Sequence, residues 1–238
     1  MDILTLLALA LAPGATIGLY IYIKDKHERE PLGLLVKAFF CGILSVLLTL
    51  LTSFPINAVI PIEPHSLSQQ AVHAFLLVAL IEEFSKFVFV RWIFYRDENF
   101  NEPFDGIVYA VSVSLGFAGL ENILYISDGG LEVALLRMFT AVPAHATFAI
   151  LMGYYLGKAK FEKQHEIRYM LMGLGAAVFF HGAYDYFWFI SWLPGIWVGG
   201  VASLVVGIIF SRRAIRLHQE ASPFKVQQPT DSPENTAS

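Results

Sequence analysis

Seven long apolar segments constrain this chain more than any other feature of its sequence. A helix rises about 1.5 Å per residue, so about 20 apolar residues cross the roughly 30 Å hydrocarbon layer of a bilayer. Only 15% of the residues are charged, against about 25% in a typical soluble domain. We therefore predict an all-α, polytopic membrane bundle of about seven transmembrane helices, with the lipid bilayer as its solvent. The predicted spans are 3–23, 33–54, 70–95, 106–127, 133–156, 167–189 and 192–210.

The distribution of the cations predicts how these spans are oriented. Of the 16 Lys and Arg residues, all except Lys86 and Arg137 fall on alternate connections, which lie on one side of the membrane. The positive-inside rule makes that side cytoplasmic. We therefore expect the N-terminus outside and the C-terminus in the cytoplasm, with one transmembrane domain over 1–218. The polar, Pro-containing segment 219–238 is predicted to be a disordered cytoplasmic tail.

Ionisable side chains inside the predicted spans indicate a functional site. Each ionised group near mid-bilayer costs about 2.5–3.5 kcal/mol on insertion scales, so the whole set needs compensation within the protein. Either Glu82 or Glu83 can reach Lys86 on the same helix, and His181 and Asp185 likewise share a helix face. Counted from the outer ends of their helices, these side chains can all converge in the outer half of the membrane. The predicted cluster consists of Glu82, Glu83, Lys86, Glu121, His145, His181 and Asp185.

Such a cluster is compatible with several kinds of chemistry. Imidazoles and carboxylates are ordinary ligands of a divalent metal, commonly zinc, which activates a bound water. A buried glutamate can also act as a general base without a metal. The same groups could relay protons or coordinate an ion in a transporter, or form structural ion pairs. Spacing alone favours a hydrolase, and an ion- or proton-coupled transporter is the alternative.

Three spaced motifs lie on predicted membrane helices: Glu82-Glu83-x-x-Lys86, Phe117-x-x-x-Glu121 and His181-x-x-x-Asp185. Together they resemble the signatures of the PrsW family of intramembrane proteases, distant relatives of the CAAX prenyl and bacteriocin-processing proteases. The three motifs together are far more specific than any one of them. The resemblance runs from about residue 25 to about residue 186 and includes the stretches DKHEREPLG and EPFDGIVYAVSVSLGFAGLENILY.

The resemblance implies a multi-pass protease of the bacterial plasma membrane, with 1–218 as the protease domain. Its substrate would be a single-pass anti-sigma factor, cut on the extracytoplasmic side as the first step of regulated intramembrane proteolysis under envelope stress. No nucleic-acid partner is expected, because the basic residues after the last span are read as a topology anchor.

The resemblance also implies the residues that carry the chemistry. Glu82 or Glu83 would activate water, with Lys86 holding one carboxylate ionised, and Asp185 would orient His181. The implied catalytic residues are Glu82, Glu83, Lys86, Glu121, His181 and Asp185. His145 is added from helix geometry. If a divalent metal is bound, zinc is the first candidate, and its predicted ligands are Glu121, His145, His181 and Asp185.

Overall fold

The structure is a computed structural model that describes residues 3–225. Over this range the chain is helical and contains no strand, which confirms the predicted all-α class. Each predicted apolar segment coincides with helix. The helices are α1 (Ile3–Lys24), α2 (Leu32–Val59), α3 (Leu67–Val72), α4 (Leu80–Phe89), α5 (Asp105–Phe139), α6 (Ala141–Phe161), α7 (Glu166–Phe189) and α8 (Trp197–Glu220).

Four helical stretches of the described chain are long and apolar enough to cross a membrane: Leu4–Lys24, Leu32–Val59, Asp105–Phe161 and Trp197–Glu220. The third of these contains both α5 and α6, which correspond to two predicted spans. The remaining two predicted spans, 70–95 and 167–189, are helical but are not among these four stretches. The count of seven crossings and the orientation stay predictions.

The outer surface of the bundle is strongly apolar. Leu51, Phe54, Trp92 and Ile167 are each at least 70% exposed. Water would disfavour so much exposed apolar area by about 25 cal/mol for each Å². Lipid carries no such cost, so this surface fits a bundle whose outer face lies in the bilayer.

Helix α5 is the centre of the bundle and packs against α1, α2 and α6. Glycines permit these close contacts. A Cβ atom at Gly116 would overlap the carbonyl oxygen of Phe39 on α2, and a Cβ at Gly106 would overlap that of Gly153 on α6. Small residues of this kind allow membrane helices to pack backbone against backbone.

Three local departures from regular α-helix lie next to the predicted cluster. The chain is π-helical at His73–Ala79 and Val90–Phe94, immediately before and after α4. Such turns change the direction of the side chains that follow them and are frequent at functional sites. In α5, Gly130 adopts φ 69° and ψ −156°, which glycine tolerates and which reverses the helix path. The segment after Gly130 folds back and brings Arg137 beside Glu121.

Contacts at one end of the bundle join connections that the charge pattern assigns to one side. The Tyr95 hydroxyl donates to Glu166 at 2.9 Å, and Lys160 donates to the carbonyl of Tyr95 at 2.6 Å. Gln219 donates to the carbonyl of Lys24. The ends of α1, α6 and α8 and the start of α7 therefore lie at the same end, as the alternation of cations predicts.

The last helix differs from its prediction. It begins at Trp197 and continues to Glu220, whereas the predicted span is 192–210. Its final turns extend past the apolar stretch because Ala214, Ile215 and His218 are buried against the bundle. The predicted tail boundary at 219 thus falls inside helix, and the buried Ser222 contacts Glu102. The part of the predicted tail from 226 to 238 lies outside the described residues.

Candidate active site

Helix α4 supplies two carboxylates and the cation that holds them. The Lys86 ammonium lies 2.7 Å from Oε1 of Glu83 and 3.5 Å from Oε2 of Glu82. It also lies 3.2 Å from Nδ1 of His145 and 4.0 Å from the ring centre of Phe117. The closer pair is with Glu83, whose side chain is 1% exposed, whereas that of Glu82 is 11% exposed. Glu83 is therefore fixed, and Glu82 is the more accessible acid.

His181 on α7 lies between three carboxylates. Its Nδ1 is 2.8 Å from Oε1 of Glu83, and its Nε2 is 3.1 Å from Oδ2 of Asp185. The Glu82 carboxylate lies 3.9 Å from Nε2. Phe148 stacks on the imidazole with ring centres 4.9 Å apart. The predicted role of Asp185 in orienting His181 fits this geometry, because the carboxylate and the aromatic ring together fix the plane of the imidazole.

His145 on α6 is held in a similar way. Its Nε2 lies 2.9 Å from Oε2 of Glu121, and Arg137 donates to the same oxygen at 2.6 Å. Arg137 also donates from Nε to the side-chain oxygen of Asn122 at 2.7 Å. Since Lys86 can only donate, Nδ1 of His145 accepts from it, and the ring proton lies on Nε2, facing Glu121. Each imidazole therefore has a carboxylate at Nε2 and directs Nδ1 toward α4, His145 to Lys86 and His181 to Glu83.

A cavity of about 550 Å³ adjoins this cluster. Its polar lining includes Glu82, Glu121, His145, His181 and Asp185. The rest of the lining is largely apolar or aromatic and comes from α2, α5, α6 and α7 and from the π-helical stretch before α4. This volume lies within the range of about 300–1,000 Å³ that small-molecule and peptide-sized sites occupy. The acids and imidazoles thus face an enclosed space beside an apolar wall.

Residues 30–211 match the family model of PrsW family intramembrane metalloproteases. The chain belongs to this family. Among similar proteins, Protease PrsW of Geobacillus kaustophilus is 40% identical over 76% of this chain and 79% of its own length. Protease PrsW of Shouchella clausii is 34% identical over 81% of this chain and 94% of its own, and that of Bacillus subtilis is 34% identical over 76% and 81%. No solved structure matches the chain significantly.

Membership of the PrsW family confirms the resemblance inferred from the three motifs and makes the chain a membrane-embedded peptidase. The cluster can therefore be compared with the chemical groups that a protease needs. Proteolysis requires a base for water, a proton donor for the leaving amine and a positive charge near the oxyanion. The carboxylates, the imidazoles and the cations Lys86 and Arg137 are groups of these three kinds.

The family description implies a metal, and the donor set of this site fits one. Single ligand atoms of Glu82, Glu83, His145 and His181 all lie within 4.8 Å of one another, and all four residues are buried. Oε2 of Glu83 is buried without a hydrogen-bond partner. Two imidazoles with carboxylate are a common ligand set for catalytic zinc. A metal would share these residues with Lys86, which contacts three of them.

This arrangement differs from the predicted ligand set at two positions. His145 and His181 belong to the converging group, as predicted. Glu121 does not, because Arg137 and His145 already engage its carboxylate, and Asp185 lies behind His181 at Nε2. The geometry favours Glu82 and Glu83 in their place, with Glu121 and Asp185 orienting the two histidines.

The sequence prediction did not include Arg137 in the site. Its guanidinium is one of the closest partners of Glu121 and lines the cavity. One signal was available, since Arg137 and Lys86 are the only two cations outside the alternate, predicted cytoplasmic connections. A cation on the opposite side of the membrane needs a local reason, and an intramembrane carboxylate supplies it.

Proposed function

We propose that the chain hydrolyses a peptide bond of a single-pass membrane protein at its extracytoplasmic side. The observation that carries this proposal is the convergence of two carboxylates on α4 with imidazoles from α6 and α7 beside an enclosed cavity. Four helices, α4 to α7, contribute the residues of the cluster and the side chains that hold them in place. A purely structural Glu–Lys pair would need only one helix.

Glu82 is the group that activates water in this proposal. It lines the cavity and is the less tightly paired of the two acids, whereas Glu83 is held by both Lys86 and His181. Glu83 then serves to position His181 and to balance Lys86. A histidine that carries a proton between two carboxylates is a suitable donor to the leaving amine. Positive charge from Lys86 and Arg137 favours the oxyanion.

A divalent metal, with zinc as the first candidate, would be held by Glu82, Glu83, His145 and His181. When bound, it supplies a Lewis acid and lowers the cost of ionising water. Glu121 and Asp185 would each accept a hydrogen bond from the Nε2–H of one histidine. This fixes the tautomer in which Nδ1 carries the lone pair that a metal needs.

The substrate class follows from the location of the site. The cavity wall is mainly apolar, so it suits a segment unwound from a transmembrane helix. We propose an anti-sigma-factor-like protein as substrate, cut first on the outer side in regulated intramembrane proteolysis, in the bacterial plasma membrane. The positive-inside distribution and the outer-half depth of the cluster support this orientation, together with seven crossings.

Cleavage in proteoliposomes tests the proposal. The purified full chain is reconstituted with candidate single-pass substrates, and fragments are identified by mass spectrometry. We expect cleavage by the wild type and by Glu132→Gln, a change at an exposed acid. We expect none by Glu82→Gln, which preserves shape and removes the base. Metal analysis of the same samples identifies any bound ion, with His145→Ala as the variant expected to lose it.

Two outcomes would contradict the proposal. One is cleavage by Glu82→Gln at the wild-type rate. The other is proton or ion flux in the same vesicles that depends on Glu82 while no candidate substrate is cut, which would favour the transporter alternative. Family membership favours the protease.

A further inference from the structure

A second group of buried acids lies at the opposite end of the predicted membrane domain. Asp25 and Glu30 are in the connection between α1 and α2, Glu102 precedes α5, and Asp105 begins it. All four side chains are at most 1% exposed. Across residues 3–225, none of them forms an ion pair with a Lys, Arg or His. Buried carboxylates without a cation are costly and need a partner.

Each of these carboxylates uses one oxygen for a defined hydrogen bond. Oδ2 of Asp25 accepts from the backbone N–H of Glu30 at 3.1 Å, and Oδ2 of Asp105 accepts from the N–H groups of Asn101 and Glu102 at 2.8 and 2.7 Å. The hydroxyl of Tyr109 donates to Oε2 of Glu30, and that of Ser222 donates to Oε2 of Glu102. The backbone and hydroxyl donors therefore fix all four side chains in place.

The second oxygens of three of these acids receive no N–H or O–H donor from residues 3–225. These buried atoms are Oδ1 of Asp25, Oε1 of Glu30 and Oδ1 of Asp105. The carboxyl group of Asp25 contacts that of Glu102, and the carboxyl group of Glu30 contacts that of Asp105. Two carboxylates can share such a contact only through a proton or a cation.

The separation of the oxygens is compatible with a bound cation. One oxygen each from Asp25, Glu102 and Asp105 lie within 4.8 Å of one another. Opposite ligands of a bound ion are separated by twice the metal–oxygen distance, which is about 4.1 Å for Mg²⁺ and about 4.8 Å for Ca²⁺. The donors are all oxygens, which suits these hard cations and not the softer metals that prefer nitrogen or sulfur.

We propose that Asp25, Glu30, Glu102 and Asp105 form a binding site for a hard divalent cation, Mg²⁺ or Ca²⁺, separate from the proteolytic centre. The ion would join the connection after α1 to the start of α5. Through Ser222, which donates to Glu102, it would also secure the segment after α8. The site is therefore structural, and it closes the end of the bundle that the positive-inside rule makes cytoplasmic.

Proton sharing is the competing explanation. Burial raises the pKa of Asp25 and of Glu30 to about 7, so a proton on each pair is the alternative to a metal ion. An amide side chain can replace a protonated acid in such a pair, but it binds divalent cations weakly. Amide substitutions therefore preserve proton-like pairing and remove cation binding. Asp25→Asn combined with Asp105→Asn therefore separates them.

Thermal unfolding of the full chain in detergent, after treatment with EDTA, tests the proposal. Addition of MgCl₂ or CaCl₂ at about 100 times the dissociation constant should shift the unfolding equilibrium about 100-fold and raise the unfolding temperature by at least about 5 °C. The same rise is expected in His181→Ala, which alters the proteolytic centre, and in Asp128→Asn, which alters an exposed acid. No rise is expected in the double amide variant.

A second measurement does not depend on stability. Tb³⁺ is a luminescent substitute for Ca²⁺, and Tyr109, whose hydroxyl donates to Glu30, is placed to sensitise it. We expect tyrosine-sensitised Tb³⁺ emission that excess Ca²⁺ suppresses in the wild type and that falls at least about tenfold in Glu102→Gln. An EDTA-treated wild type that neither responds to added cations nor binds Tb³⁺ would overturn the proposal. So would double-amide protein that responds as the wild type does.

Discussion

The buried pair between Lys86 and Glu83 gives a quantitative test of how the site is held together. Lys86 is 2% exposed and lies 2.7 Å from Glu83. Breaking a buried ion pair by removing one partner typically costs about 3–5 kcal/mol, because the other charge stays buried without compensation. For a chain of this length that corresponds to about 6–20 °C in unfolding temperature. We expect Lys86→Met to destabilise the protein by this amount.

Combining Lys86→Met with Glu83→Gln should recover part of the loss. The double variant has no uncompensated charge at this pair, so its destabilisation should fall short of the sum of the single variants by at least about 1.5 kcal/mol. The pair Lys158–Glu162 is a matched control: its atoms lie 3.2 Å apart on one helix, but both side chains are substantially exposed. Lys158→Met with Glu162→Gln should show a coupling of only about 0.3–0.5 kcal/mol.

Unfolding of the wild type, the four single variants and the two double variants in detergent, followed by circular dichroism, measures both cycles. Membrane insertion is checked first by the yield of protein in the membrane fraction. Equal coupling energies in the two cycles would show that burial does not strengthen the Lys86–Glu83 pair, which would contradict this prediction. The prediction would also be refuted by a Lys86→Met variant as stable as the wild type.

Three further predictions concern the cavity and the packing around it. Arg137→Gln should lower the cleavage rate about 10–100-fold in the proteoliposome assay, since it releases the carboxylate that orients His145, and an unchanged rate would exclude this role. Gly116→Ala should destabilise the bundle by about 1–3 kcal/mol in the unfolding assay because its Cβ would overlap the α2 backbone, whereas Gly33→Ala, whose Cβ meets nothing within 4 Å, should not. Ala141→Phe, which fills part of the cavity, should lower kcat/KM for cleavage at least about tenfold with an unfolding temperature near that of the wild type.

Hydropathy and cation placement predict the helices because both depend on local sequence. The seven apolar segments all appear as helix, and α5 begins at Asp105, one residue from its predicted start. The end of α8 is the exception. Arg212 and Arg213 mark the predicted end of the hydrocarbon layer, but a helix continues past that layer wherever its next turns bury apolar side chains, as Ala214 and Ile215 do. The position of these charges therefore does not predict where the helix ends.

The sequence predicts which residues form the site, but it does not predict most of the contacts between residues on different helices. Spacing on one helix predicts that Lys86 reaches either Glu82 or Glu83, and Lys86 contacts both. The pairing of Arg137 with Glu121 depends on the reversal at Gly130, and no periodicity within one helix contains that information. The same limit applies to the acids at the other end, where residues 77 positions apart along the chain, Asp25 and Glu102, come into contact only in the fold.

The charge balance at the proposed proteolytic centre bears on whether a metal ion or protons compensate its carboxylates. Four carboxylates, those of Glu82, Glu83, Glu121 and Asp185, face two permanent cations, Lys86 and Arg137. The remaining two negative charges have to be compensated within a low-dielectric site. A divalent metal does so while leaving the histidines neutral, and protons on His145 and His181 do so without a metal. The Lys86 ammonium donates to Nδ1 of His145, so either a second proton or a metal ion at that nitrogen would replace this hydrogen bond. His181 differs, because both of its ring nitrogens face carboxylates, and a proton on each nitrogen would keep both contacts.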